Sequence, residues 1–330
     1  MADIDFVMAW VDGADPAWRQ ERDAYAGNKG RSAASSGDAR YRDWELLRFW
    51  FRGVERFAPW VRRIHFVTWG HLPEWLDTAN PKLAVVNHRD FIPQEYLPTF
   101  SANPIELNFH RIQGLSEQFV YFNDDVFLLR PVREADFFRN GKPRDMLALQ
   151  PVVANREDDI MPYIYLNDAM LLAKYFDKRA NMRKQPGAYF HPGYPFLYFG
   201  YNLLEMAFPR FTGFYTVHGP APLLKSTYET VWQLEPDRLG RHRFRSREDV
   251  NQYVLREWQK LSGNFAPCNA SRFCRYFNIG ADNGGLLRTI TGRRAATVCI
   301  NDSVELADIE RARQEIQQAF ERVLPEKSSF

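Results

Sequence analysis

In residues 118–128 the apolar run Phe119-Val120-Tyr121-Phe122 stops at Asn123 and two adjacent carboxylates, Asp124 and Asp125, before apolar residues resume at Val126. A run of that length bounded by polar residues predicts a buried strand. In open α/β sheets the carboxyl ends of the strands are where ligands bind. Hard oxygen ligands at that edge suit a divalent ion such as magnesium or manganese, which can neutralise a diphosphate. The plain alternative is a polar turn closing a hairpin, since Asn-Asp is ordinary turn chemistry.

The flanking sequence alternates in the same way. Ile4-Asp5-Phe6-Val7-Met8-Ala9-Trp10-Val11 reads as a first, largely buried strand that leaves through Asp12-Gly13-Ala14-Asp15-Pro16. Leu47, Trp50, Val54 and Phe57 recur at helical spacing until Pro59. Short strands are expected at 64–69 and 83–86, separated by a small helical pattern at 73–76. Residues 103–114 read as a helix ending at Gly114, so Glu106 and His110, four apart, are expected to share one face. Further on, the pattern predicts a strand at 146–150, a helix at 162–177, an irregular aromatic and basic stretch at 178–201, and a strand at 296–300. An amphipathic helix is expected at 303–324, with Leu306, Ile309, Ile316, Phe320 and Val323 on one face. Asp302 and Glu305 have capping-box spacing. The small, polar stretch 27–39 is expected to be a mobile loop beside the site.

Composition narrows the function classes. The 330 residues are 45% hydrophobic and 15% aromatic, ample for a buried core. Lys plus Arg at 43 against Asp plus Glu at 41 leave a formal charge of +2, which gives no global case for a nucleic-acid partner. No run of about 18 apolar residues predicts a transmembrane helix, and the first residues lack the basic flank and apolar core of a secretory signal. A cytoplasmic location is expected, with peripheral contact at the inner face of the cell membrane left open. Cys268, Cys274 and Cys299 lack zinc-site spacing and read as buried thiols, with a Cys268 to Cys274 disulfide as the lesser alternative.

Four separated blocks stand out together. They are residues 4–16; a long block from Arg42 through Ala58-Pro59-Trp60, Val67-Thr68-Trp69-Gly70-His71, Ile105-Glu106 and His110-Arg111 to Asn123-Asp124-Asp125; His218-Gly219-Pro220-Ala221-Pro222 onward to Arg245-Ser246-Arg247-Glu248-Asp249; and Cys299-Ile300-Asn301-Asp302-Ser303. As an ordered set they resemble the conserved regions of the Stealth family of hexose-1-phosphate transferases, with departures at Ala9 and Asp12. The resemblance implies one catalytic domain over residues 1–330 with a Rossmann-like, glycosyltransferase A-like α/β core and a C-terminal helix. It also implies transfer of a hexose-1-phosphate, N-acetylhexosamine-1-phosphate in the favoured case, from a nucleotide-diphosphate sugar to a sugar hydroxyl. The products are a phosphodiester and a nucleoside monophosphate, in capsule or surface polysaccharide synthesis. A UDP-hexose is the favoured donor, and whether the saccharide acceptor is lipid-linked stays open.

Such a reaction needs charge neutralisation, in-line positioning and a proton acceptor. Asp124 and Asp125 are the expected ligands of a magnesium or manganese ion, with Asp302, or Asn301 through its amide oxygen, added from another strand end. An N-cap role is the plain reading of Asp302. Carried over at matching positions, Glu106 becomes the candidate base with His110 beside it, and His218 a group at the reacting phosphate. Arg245, within the cluster Arg238, Arg241, Arg243, Arg245 and Arg247, becomes the forked clamp on the diphosphate. Trp10, Asp12, Arg48 and Lys225 are the expected nucleotide-sugar contacts. The stretch 178–201 is expected on the acceptor side, although basic aromatic segments also sit at membrane surfaces. Two rivals remain: a metal-dependent glycosyltransferase that forms a glycosidic bond, and a non-catalytic carbohydrate-binding protein.

Overall fold

The apolar runs become the strands β1 (Ile4–Ala9), β2 (Ile64–Thr68), β3 (Leu83–Asn87), β4 (Gln118–Phe122), β5 (Val126–Leu128), β6 (Ala221–Leu224), β7 (Cys274–Asn278) and β8 (Thr297–Asn301). The structure is a computed structural model that describes residues 3–26, 43–154, 159–302 and 308–330. The main sheet has the order β6-β4-β1-β2-β3. Four of its strands, β4 through β3, run parallel, and β6 pairs antiparallel with β4 at the other edge. Both faces are covered, which is why β2 is buried at all five positions, His65 and Thr68 included. In β4, Val120 and Phe122 join one core while Phe119 and Tyr121 join the other.

The chain winds outward from β1 through β2 to β3, then returns to place β4 on the other flank of β1. A crevice therefore opens between the carboxyl ends of β1 and β4, where open α/β sheets bind ligands. The pairing of Met8 with Phe122 sends Trp10 and the Asn123-Asp124-Asp125 turn to the same edge. A second sheet, β7-β8-β5, brings the far end of the chain to that turn, because Cys299 pairs with Val126 and the Ile300 amide donates to the Asp125 carbonyl at 2.8 Å.

The helices that carry or brace the site are α1 (Leu47–Phe57), α2 (Ala102–Leu107), α3 (Met161–Tyr175), α4 (Phe196–Glu205), α5 (Tyr253–Leu261) and α6 (Ile309–Val323). α1 buries Phe49, Trp50, Phe51, Val54 and Phe57, with Trp50 edge-on to Phe122 at 5.7 Å. From α6, Phe320 stacks on Phe49 at 5.2 Å and meets Phe127 at 5.1 Å, so the C-terminal helix is packed on α1 and β5 as expected. Full burial of a phenylalanine contributes about 1.5–3 kcal/mol. At the amino-terminal edge of the sheet the buried Asp5 accepts from Arg62 Nε at 2.8 Å and from the Ser116 amide at 2.9 Å, and lies 3.0 Å from His65 Nε2.

Several sequence expectations need correction. Residues 73–76 form turns rather than a helix. The helix expected over 103–114 ends at Leu107: the Asn108 side-chain amide donates to the Pro104 carbonyl at 2.8 Å, and a 3₁₀ turn, Phe109–Arg111, follows. Asparagine side chains compete with the helical ladder in this way. The stretch 178–201 is not irregular; it holds helices Lys178–Lys184 and Pro186–Tyr189 and most of α4. The amphipathic helix is seen from Ile309, with Asp308 as its N-cap accepting from the Arg311 amide. Residues 27–39 and 303–307, and with them the proposed loop and the Asp302–Glu305 capping box, lie outside the described residues.

Candidate active site

A cleft of about 790 Å³ opens at the carboxyl edge of the main sheet. The end of β1 supplies Trp10, the turn after β4 supplies Asn123, Asp124 and Asp125, and β8 with its continuation supplies Ile300, Asn301 and Asp302. Glu106 from α2, Tyr165 from α3, His218 ahead of β6, Arg245 and Tyr253 close the walls.

Asp125 is the hub. Its Oδ2 accepts from the Cys299 thiol at 3.2 Å and lies 3.4 Å from His218 Nε2, while its Oδ1 is buried with no hydrogen-bond partner. The Cys299 position follows from the β5–β8 register, and burial together with the Asp125 charge holds its thiol protonated, far above the usual range. His218 is fixed from both ring nitrogens: Nδ1 is 2.8 Å from the Tyr253 hydroxyl, and Nε2 is also 3.2 Å from the Asn123 amide nitrogen. Burial pulls the His218 pKa down, but the hydrogen bond and charge of Asp125 and the charge of Glu106 outweigh it and raise it above the ordinary imidazole value.

Asp124 is open to solvent, yet the concave cleft withholds much of bulk hydration from it. This desolvation, with the neighbouring charges of Asp125 and Asp43, lifts its carboxyl to about 7. Glu106 is buried, and its Oε1 accepts from the Tyr121 hydroxyl at 3.0 Å. Burial raises its pKa against the opposing pull of Tyr121, Arg245 and His218. The structure also sorts the arginine cluster. Arg243 donates to the Leu97 carbonyl at 2.8 Å and Arg247 covers the Tyr163 ring at 4.7 Å, whereas Arg245 lines the cleft and, among the described residues, makes a weak 3.5 Å contact to Met161 Sδ.

Four expected site residues lie outside the cleft lining. His110 belongs to the 3₁₀ turn rather than to α2, so it shares no helix face with Glu106; it is packed beside the rings of Tyr228 and Trp232, and burial lowers its pKa to about 3. Lys225 follows β6, whose antiparallel course separates it from His218 by the length of the strand and sets it at the opposite edge of the sheet. Arg48 lies over the Phe49 ring at 4.9 Å. Asp12 folds its own loop: its Oδ1 accepts from the Ala14 amide at 2.8 Å, and its amide donates to His71 Nε2 at 2.7 Å. Trp10 does line the cleft, stacked on Phe66 at 5.8 Å.

The residues present fit a divalent cation. The Asp125 Oδ1 lone pairs have no donor, and Asp43, Asp124, Asp125, Asn301 and Asp302 all line the cleft, with Asp302 Oδ2 accepting from Trp44 Nε1 at 3.2 Å. Asp125, His218 and Cys299 also offer ligand atoms within 4.8 Å of one another. A neutral thiol is a poor ligand for a hard ion, so the oxygen set is the better match to magnesium or manganese.

The sequence reading gave no site role to Asp43, Tyr121, Tyr253 or Cys299. Tyr121 carried a signal, since a tyrosine in a buried strand needs a partner for its hydroxyl. The Cys299–Asp125 contact depends on pairing across 174 positions and had none.

Conserved region 1 of the Stealth proteins matches residues 2–30, and conserved region 2 matches residues 40–145. Capsular polysaccharide phosphotransferase WcwK of Streptococcus pneumoniae is 39% identical over 99% of this chain and 98% of its own length. Receptor polysaccharide phosphotransferase WefC of Streptococcus oralis is 38% identical over 100% of this chain and 99% of its own. Exopolysaccharide phosphotransferase cps2G of Lactiplantibacillus plantarum is 36% identical over 99% and 96%. The chain belongs to the Stealth family. Among solved structures, an active-site mutant of LgtC matches 95% of each chain at 14% identity, with a TM-score of 0.38.

Proposed function

We propose that this protein is a polysaccharide phosphotransferase that moves a hexose-1-phosphate from a nucleotide-diphosphate sugar to a sugar hydroxyl. Family membership and the names of full-length relatives support the reaction class. The observation that carries the reading is the convergence of Asp124, Asp125, Glu106, His218 and Arg245 on one cleft at the switch point of the sheet.

In the reaction the acceptor oxygen forms a bond to the sugar-proximal phosphorus, the bridging phosphorus–oxygen bond breaks, and a nucleoside monophosphate leaves with that bridging oxygen. A divalent ion held by Asp124 and Asp125, with Asn301 and Asp302, would supply charge neutralisation at the diphosphate. Arg245, free of carboxylate ion pairs among the described residues, holds phosphate oxygens in its fork. Glu106 takes the proton of the attacking hydroxyl, because burial brings its pKa toward the working range of a base. His218, whose pKa the Asp125 hydrogen bond and charge raise, stabilises charge developing on the transferred phosphate. Trp10 offers an aromatic face to the donor's base. A UDP-sugar is the favoured donor.

Incubating the protein with a panel of nucleotide-sugars, manganese or magnesium, and saccharide acceptors, with mass spectrometry of the products, tests the reading. A product heavier than the acceptor by a hexose phosphate supports it; one heavier by a hexose alone makes the protein a glycosyltransferase instead.

A further inference from the structure

Helix α4 is amphipathic the wrong way round. Its inward face carries Asn202, fully buried, whose side chain donates to the Leu147 and Tyr189 carbonyls at 3.0 and 2.6 Å and accepts from the Leu149 amide at 2.7 Å. Glu205, also buried, pairs with the buried Lys178 at 2.6 Å. The outward positions Phe196, Leu197, Gly200, Leu203 and Leu204 recur at i, i+1, i+4, i+7 and i+8, so they share one stripe. Phe196 is 89% exposed and Leu204 68%, and Met206 and Phe208 extend the exposed apolar surface beyond the helix. Polar side chains thus anchor the helix to the protein while leucines and phenylalanines point away from it. A contiguous apolar surface of this kind marks an interaction site.

The charge around the stripe selects its occupant. Between residues 178 and 210 the exposed formal charges are those of Arg179, Arg183, Lys184 and Arg210, because Glu205 is buried on Lys178; Arg210 lies 3.7 Å from the exposed Asp177 carboxylate, which leaves Arg179, Arg183 and Lys184 as the basic surface beside the stripe. Lys178 also donates to the Glu205 and Arg210 carbonyls, so the basic helix Lys178–Lys184 adjoins the carboxyl end of α4. Among the described residues no helix is long and apolar enough to cross a membrane. An apolar stripe beside exposed cations is instead the chemistry of a helix that lies in the interface of an anionic bilayer.

We propose that α4 and the residues up to Phe208 form an interfacial anchor that docks this protein on an anionic membrane surface. Docking there sets the cleft close to the bilayer, since Tyr198 of α4 stacks on Tyr215 at 4.2 Å and the adjoining Thr216 lines the cleft. The inference stands apart from the reaction assigned to the cleft.

The test is co-sedimentation of the full chain with vesicles of phosphatidylglycerol and phosphatidylcholine, beside vesicles of phosphatidylcholine alone. The wild type is expected to bind the anionic vesicles at least ~10-fold more tightly than the neutral ones, at about a tenfold loss for each one or two cations removed from play. Phe196→Ser with Leu204→Ser is expected to lose at least ~10-fold in binding with an unchanged Tm, because neither side chain is packed in the protein. Should that variant lose its fold, Leu197→Asn with Leu203→Asn reads the same stripe. Absence of wild-type binding, equal binding to both vesicles, or full binding by the folded variants overturns the proposal. So does a lipid-free dimer that the same substitutions dissociate, which would make a second copy the occupant.

Discussion

His218 Nε2 stands 3.4 Å from Asp125 Oδ2, which places an imidazole with a raised pKa against the acidic hub of the cleft. In the proposed mechanism the pair divides the labour: the carboxylate's other oxygen, without a hydrogen-bond partner, would meet a cation, and the ring would stabilise the transferred phosphate. Asp125→Asn removes the charge that serves both. Turnover is expected to fall by at least ~10²-fold, since preorganised charge stabilisation is worth several kcal/mol. Steady-state kinetics of the variant, and of the wild type with and without a chelator, check this; full activity of the variant, or of the wild type in chelator, contradicts the metal assignment.

Glu106 and His218 are separated by their pH behaviour. The raised pKa of Glu106 means that its base form is lost, as pH falls, at a higher pH than for an ordinary glutamate. The acid limb of the kcat/KM profile is therefore expected above about 4.3, the unperturbed value. Glu106→Gln should lower the rate by about 10²–10⁴-fold and erase that limb, whereas His218→Ala should lower the rate and keep it. A limb lost only in the histidine variant exchanges the two roles.

Arg245 is expected to act through its fork. Arg245→Lys keeps the charge but loses bidentate geometry. Activity should fall by about tenfold or more with little change in Tm, and wild-type kinetics for this variant would move the clamp to another cation.

The acidic turn and its strand were legible because β4 is covered on both faces and its apolar run ends where the sheet ends. The helix ending at Phe57 was legible from the spacing of its apolar residues. The 103–114 helix was overread because periodicity cannot see the Asn108 side chain bonding back to Pro104. The stretch 178–201 was read as irregular because α4 turns its apolar residues outward and its polar residues inward, so its pattern does not report a core face. The same helix end moved His110 off the Glu106 face, whereas Lys225 was misplaced for a third reason. Sequence proximity to a site residue says nothing about which edge of the sheet a connecting strand reaches.

Remote from the cleft, Asp5 provides a check on the fold. Burial alone would raise its pKa, but hydrogen bonds with His65, Arg62 and the Ser116 amide outweigh it and hold the carboxyl below 3.8. A depressed folded-state pKa contributes stability that is present above the unfolded value and is lost as pH falls through the folded one. Stability is therefore expected to decline below about pH 3.8, and Asp5→Asn should lower Tm at neutral pH while flattening that acid decline. Thermal unfolding across pH measures it, and an unchanged acid limb would remove Asp5 from the network's energetics.

The identity of the released nucleotide tests the proposed chemistry most directly. With a nucleotide-sugar donor and a competent acceptor, chromatography of the reaction is expected to show nucleoside monophosphate formed in step with a phosphodiester-linked product, visible by phosphorus NMR. Release of nucleoside diphosphate, with no phosphorus in the product, would contradict it.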